Sequence, residues 1–136
     1  MTHLFPSKNM LRLVLLLNAL IPLAFSITLF DWTILIVNDS KDQTLTTHCE
    51  TNGDDIGIKA LNPSTKQAFV CPVLVKERTV ASCEMTLGNL HGRFDVLDWD
   101  RDQRRCVDGA CLWHVDENGL FLVINCQLVL QYPWPN

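Results

Sequence analysis

Cys111-Leu112-Trp113-His114-Val115-Asp116-Glu117-Asn118-Gly119-Leu120-Phe121-Leu122-Val123-Ile124 is the stretch that decides the fold. Two apolar runs flank a polar cluster that ends in Asn-Gly. Both turn residues tolerate positive φ, so the pattern predicts a β-hairpin. Alternation along a strand puts Cys111 and Trp113 on the same face. A tryptophan beside a cysteine on an inner face suits a core packed against a disulfide.

The same punctuation continues outward in both directions. Towards the N-terminus, Arg93–Leu97 and Thr79–Met85 read as a pair joined through Gly88-Asn89. Gln67–Val75 reads as a strand whose Pro72 marks an edge or bulge. Ile56–Leu61 lies between the turn clusters Asn52–Asp55 and Asn62–Ser64. Leu45–Cys49 is a short strand, and Trp32–Val37 a longer one that stops at Asn38-Asp39-Ser40. These are seven to eight short strands spaced roughly 8–12 residues apart, and no amphipathic helix competes with them. The reading is all-β: a small antiparallel β-sandwich or, less well matched, a small barrel. Towards the C-terminus, residues 126–136 read as a tail, with Tyr132–Asn136 expected to fray.

Composition agrees with one folded domain. The chain has 136 residues, 48% hydrophobic and 19% charged, with a formal charge of −4 and six cysteines. That length fits a single core. With no basic block to neutralise phosphates, a nucleic-acid partner is not expected. Six cysteines in so short a chain imply disulfides if the chain meets an oxidising compartment. The first residues supply the route. Lys8 and Arg12 precede an apolar run, Leu13–Leu17 and onward to Leu23, which closes on Ala24-Phe25-Ser26. A basic start, a short apolar run and a small-residue exit define a secretory signal peptide, residues 1–26. Asn18 and Pro22 interrupt the run, which is short of the roughly 20 apolar residues a spanning helix needs. Removing it takes away two bases and no acid, so the mature domain, 27–136, carries −6.

Several residues taken in order resemble one family. They are Asn38 at a strand end, His48-Cys49, Asp54-Asp55-Ile56-Gly57, Cys83, Phe94-Asp95-Val96, Cys106, Cys111-Leu112-Trp113 and the Gly119 turn. The set, spanning about residues 32–123 behind a signal peptide, resembles the plant self-incompatibility S1 family, the S-protein homologues. The resemblance implies a secreted β-sandwich with no enzymatic activity. It would act as an extracellular signalling or recognition ligand, in self-incompatibility or in other cell–cell communication, for a cell-surface receptor or another extracellular protein. The chain departs from the family pattern at Ala81 and Leu87, where an aromatic residue and a tryptophan are usual. It also carries Cys71 and Cys126 beyond the usual four cysteines.

The resemblance assigns Cys49, Cys83, Cys106 and Cys111 to two bridges and leaves Cys71 and Cys126 as a third pair. Six cysteines allow 15 connectivities, and the sequence does not choose among them. The arrangement favoured is Cys49 with Cys111, Cys83 with Cys106, and Cys71 with Cys126. A zinc site through Cys106, Cys111 and His114 has only one loose half of the usual ligand spacing, so no metal or other cofactor is expected. Asn38-Asp39-Ser40 is an N-glycosylation sequon at a strand end, and Asn38 is expected to be glycosylated.

The densest charge cluster is Asp98-Trp99-Asp100-Arg101-Asp102-Gln103-Arg104-Arg105. A calcium loop starting at Asp98 would need Gly where Gln103 stands and Glu where Gly109 stands, so that match fails. What remains is a solvated loop or a partner-facing one. Asp98, Asp100, Arg101, Asp102, Arg104 and Arg105 are the candidate recognition residues, because mixed charges set specificity and on-rate. Asp39–Gln43 is a second candidate loop. A rival reading as a small secreted hydrolase would use His91 with Asp95, joined by Asp54-Asp55, and needs a pocket that gathers them. A rival defence or toxin-like module acting on membranes sits poorly with a −6 mature charge.

Overall fold

The computed structural model describes residues 28–74 and 77–136, so the expected leader lies outside the described residues. Nine strands and one helical turn follow in chain order. They are β1 (Thr28–Asn38), β2 (Leu45–Thr51), β3 (Asp54–Leu61), β4 (Lys66–Leu74), β5 (Val80–Leu87), β6 (Leu90–Asp98), α1 (Trp99–Asp102), β7 (Ala110–Asp116), β8 (Gly119–Ile124) and β9 (Gln127–Tyr132). They form two sheets, ordered β4-β1-β7-β8-β9 and β3-β2-β5-β6. The architecture is the expected all-β sandwich. All strand pairs are antiparallel except β1 with β7, which run parallel.

Period-two alternation builds the core. Ile34 and Ile36 of β1, Cys111, Trp113 and Val115 of β7, and Leu120 and Leu122 of β8 are buried from one sheet. Leu45, Cys83, Met85, Leu87 and Val96 meet them from the other. The Trp113 indole N–H would be unsatisfied in that interior, and it donates to the Val96 carbonyl across the sandwich at 2.9 Å.

The expected tail is structured. Asn125 and Cys126 both take positive φ, at 51° and 63°, and form the two-residue turn into β9. Beyond β9, Trp134 is buried, and its indole N–H donates to the Asp116 carbonyl at 2.8 Å. Gly119 makes this return possible. Its φ is +141°, and a Cβ there would stand 2.2 Å from the Tyr132 carbonyl oxygen.

The bridges differ from the favoured pairing. Cys49 bonds Cys83, and Cys106 bonds Cys111. Cys49 and Cys83 are opposite each other in the β2–β5 register, with Cα atoms 4.0 Å apart. Cys111 belongs to the other sheet, and its sulfur is taken by Cys106, five residues before it. Cys71 and Cys126 are both free thiols. Cys71 is on β4 and Cys126 at the β8–β9 turn, at opposite edges of the five-stranded sheet, roughly 19 Å apart by strand spacing. Burial pushes the Cys71 thiol up to about 11, with the Asp31 carboxylate adding to the rise.

Candidate functional site

At the end of the sandwich where β7 begins, β6 runs into the charged segment. Its first turn becomes α1, and Asp102 at the end of that turn is completely buried. The Asp102 carboxylate accepts from Arg101 Nε at 2.8 Å and Nη2 at 2.7 Å, and from the Asp98 backbone N–H at 2.9 Å. Arg105 Nε lies 3.5 Å from the same oxygen that accepts from Arg101 Nε. A buried carboxylate is tolerated only when surrounded by donors, and this one is. Arg101 also bonds the Tyr132 hydroxyl, which donates to the Asp95 carbonyl at 3.0 Å. Arg105 reaches Gln131 of β9. The segment is therefore clamped to the end of β9, and the guanidinium of Arg101 is held firmly protonated, chiefly by Asp102.

A second set of contacts holds its other side. Asp98 pairs with Arg78, and that hydrogen bond is the main cause of its carboxyl lying below the usual carboxylate range. The Trp99 backbone N–H donates to the Thr79 carbonyl at 3.0 Å. The Trp99 ring packs edge-on to Trp32 and Phe30 at 4.8 and 5.3 Å. The Cys106–Cys111 bridge closes the far end of the loop.

The six candidate recognition residues therefore divide. Asp102 is buried, while Asp98, Arg101 and Arg105 hold the loop in place. Asp100 and Arg104 are exposed, beside exposed Gln103, Val107 and Asp108. The expectation of a solvated or partner-facing loop is corrected for the first four: their charges are spent on each other and on the strands. The second candidate loop, Asp39–Gln43, lies at the opposite end of the molecule. Asn38 aligns with Val115 at the end of β7, whereas Ala110 aligns with Thr33 at its start. The two loops therefore belong to two surfaces.

Asn38 is corrected as well. It is fully buried, and its amide nitrogen donates to the Gln43 and Leu61 carbonyls, each at 2.8 Å. Its oxygen accepts from the Ser40 N–H at 3.0 Å and hydroxyl at 2.8 Å. The sequon's own serine thus serves the asparagine, and a glycan on that nitrogen has no room in the fold. The zinc alternative also fails, because Cys106 and Cys111 are bonded to each other and His114 points to the opposite face of β7. Among the described residues no cluster of His, Cys, Asp and Glu could hold a metal.

The histidine reading shifts position. Asp95 accepts from the Ser82 hydroxyl at 2.7 Å, and His91 is exposed four residues up β6, about 13 Å away along an extended strand. A different pair forms. A β-bulge opposite Cys49 and Glu50 turns Gly57 to a φ of 92°, and the Asp55 carboxylate accepts from the Gly57 N–H at 3.0 Å. The same oxygen lies 2.9 Å from His48 Nε2. Together these lower the Asp55 carboxyl. The pair sits in an open depression of about 320 Å³ on the outer face of the four-stranded sheet, with Glu50, Glu84 and Arg93. Arg93 pairs with both glutamates. Cys49, also in the lining, is spent in its bridge. The sequence signal for this cluster was the alternation of His48 and Glu50 on β2, which strand pairing sets beside Glu84 and Arg93.

Comparison with known proteins bears on the fold and the kind of protein. The family described as Plant self-incompatibility protein S1 matches residues 33–134. S-protein homolog 3 of Arabidopsis thaliana is 33% identical over 128 residues, covering 82% of this chain and 84% of that protein. S-protein homolog 2 of the same plant is 32% identical over 108 residues, covering 75% and 67%. A solved structure superposes with a TM-score of 0.58 at 15% identity, over 78% of this chain and 96% of that one. It is described as an SPH (Self-Incompatibility Protein Homologue) protein, from a widespread family of small, highly stable, secreted proteins from plants. At that identity the likeness speaks for the fold alone. Among the described residues no helix is long and apolar enough to cross a membrane.

Proposed function

This chain belongs to the plant self-incompatibility protein S1 family; we propose that it is a small secreted protein and a non-enzymatic recognition ligand for an extracellular partner, read through the exposed tip of the Asp98–Asp108 loop. A leader ending at Ser26 would deliver it to the secretory route. The observation that carries the reading is the division within the loop. Asp102, Arg101 and the Cys106–Cys111 bridge fix the backbone, and Asp100 and Arg104 stand free on it. A loop ordered before contact loses little conformational entropy on binding, and opposed charges on its tip favour one partner over another. The −6 mature charge suits a soluble ligand and opposes adsorption to anionic lipid.

The test is binding of the labelled secreted protein to cells that respond to it. The Asp100→Lys, Arg104→Glu double variant conserves net charge and leaves the clamp intact. We expect binding at least about tenfold weaker with an unchanged unfolding curve. Undiminished binding would remove this loop from the contact surface.

A further inference from the structure

The inner faces of both sheets are apolar, as a sandwich requires. The outer face of the five-stranded sheet is apolar as well. One cross-strand row reads Ala68, Leu35, Leu112, Val123, Leu128 across all five strands. The next row reads Lys66, Val37, His114, Phe121 and Leu130, and on the other side Val70 flanks Thr33 and Ala110. Val70, Leu128 and Leu130 are 48%, 52% and 46% exposed. The other sheet's outer face carries His48, Glu50, Glu84 and Arg93 in the equivalent places. Near-continuous apolar runs such as Ile34–Val37 mark strands buried on both sides. Here no other element of the described chain crosses the outer side.

We propose that this outer face is an interface for a second copy of the same chain, packed face to face about a two-fold axis that crosses the strands. Two features commit it to a copy of itself. The first is charge. Lys66 is exposed at one end of β4, and Asp31 is exposed at the opposite end of the adjacent β1, both on this face. A two-fold axis across the strands reverses one sheet over the other, which brings each Lys66 to the second copy's Asp31 and makes two identical ion pairs. The second is shape. The same operation sets the bulky Leu35 and Leu112 row over the small Thr33 and Ala110 row, so that large meets small in both directions.

The experiment measures the mass of the secreted protein by sedimentation equilibrium from micromolar to sub-millimolar concentration. A reversible doubling of mass is expected. Leu112→Lys should leave a monomer throughout the range. Lys66→Asp and Asp31→Lys should each weaken association at least about tenfold by setting like charges together, and the double swap should restore it to within about threefold. Both charge variants sit on exposed positions and keep the fold, which their unfolding curves verify. A monomer at every concentration, or a double swap that fails to restore dimer, overturns the proposal. Binding of the monomer to vesicles of neutral phosphatidylcholine through this face, lost in Leu112→Lys, would assign it to lipid and overturn it equally.

Discussion

Two charged clusters of similar composition sit at two places in this molecule, and they do opposite work. The Asp98–Arg105 segment turns four of its six charges inward and leaves Asp100 and Arg104 exposed. Asp102 is fully buried and meets Arg101, Arg105 and a backbone N–H. The cluster of His48, Glu50, Asp55, Glu84 and Arg93 lies flat on the outer sheet, with side chains 41–66% exposed. In the first, Asp98, Arg101, Asp102 and Arg105 are wholly or largely withdrawn from water and depend on their partners. In the second, water already solvates every group, and pairing adds little. Charge density along a sequence therefore does not distinguish a scaffold from a surface, whereas burial does.

The difference between the clusters sets the order of the expected effects. Asp102→Ala should be the most damaging, at about 3–5 kcal/mol of unfolding free energy in a urea titration, because it strands Arg101 and the Asp98 N–H. Opening the same loop by replacing Cys106 and Cys111 with alanine should cost about 2 kcal/mol, the chain-entropy value for so short a loop. Arg93→Ala, in the open cluster, should cost no more than about 1 kcal/mol. A loss for Arg93→Ala as large as that for Asp102→Ala would erase the distinction between the clusters.

Acid should separate them as well. Arg78 holds the Asp98 carboxyl below its ordinary range. A depressed carboxyl contributes stability above its unfolded pKa, near 4, and loses it as pH falls through the lower folded value. Melting temperature should therefore decline below about pH 4, and Asp98→Asn should flatten that decline. Asp55 is also lowered, by Gly57 and His48, but lies open to solvent. Asp55→Asn should change the acid profile less than Asp98→Asn does.

Much of this was legible beforehand. Eight strands showed themselves through alternation and through turn residues such as Asn118-Gly119 and Gly88-Asn89. Cys111 and Trp113 fell on the inner face as alternation requires. β9 was not legible, because its turn is Asn125-Cys126 without the glycine that usually marks such a hairpin. The bridges were misassigned because pairing depends on which strands are neighbours, and the order β3-β2-β5-β6 is not written in any local run. Asn38 read as a glycan site because a polar triplet after an apolar strand looks exposed. Its burial comes from Gln43 and from Leu61 of the other sheet, a contact 23 residues away in sequence. Asp102 was hidden for the same reason, its surroundings being supplied by Tyr132 and Gln131 through Arg101 and Arg105.

The central claim is that the charged loop is a fixed base displaying Asp100 and Arg104. Amide hydrogen exchange on the folded secreted protein addresses it most directly. The N–H groups of Asp98, Gln103, Arg105 and Cys106 are bonded within the loop, so they should exchange as slowly as those of the neighbouring strand β6. Exchange of these four at the rate of an unstructured peptide would contradict the account.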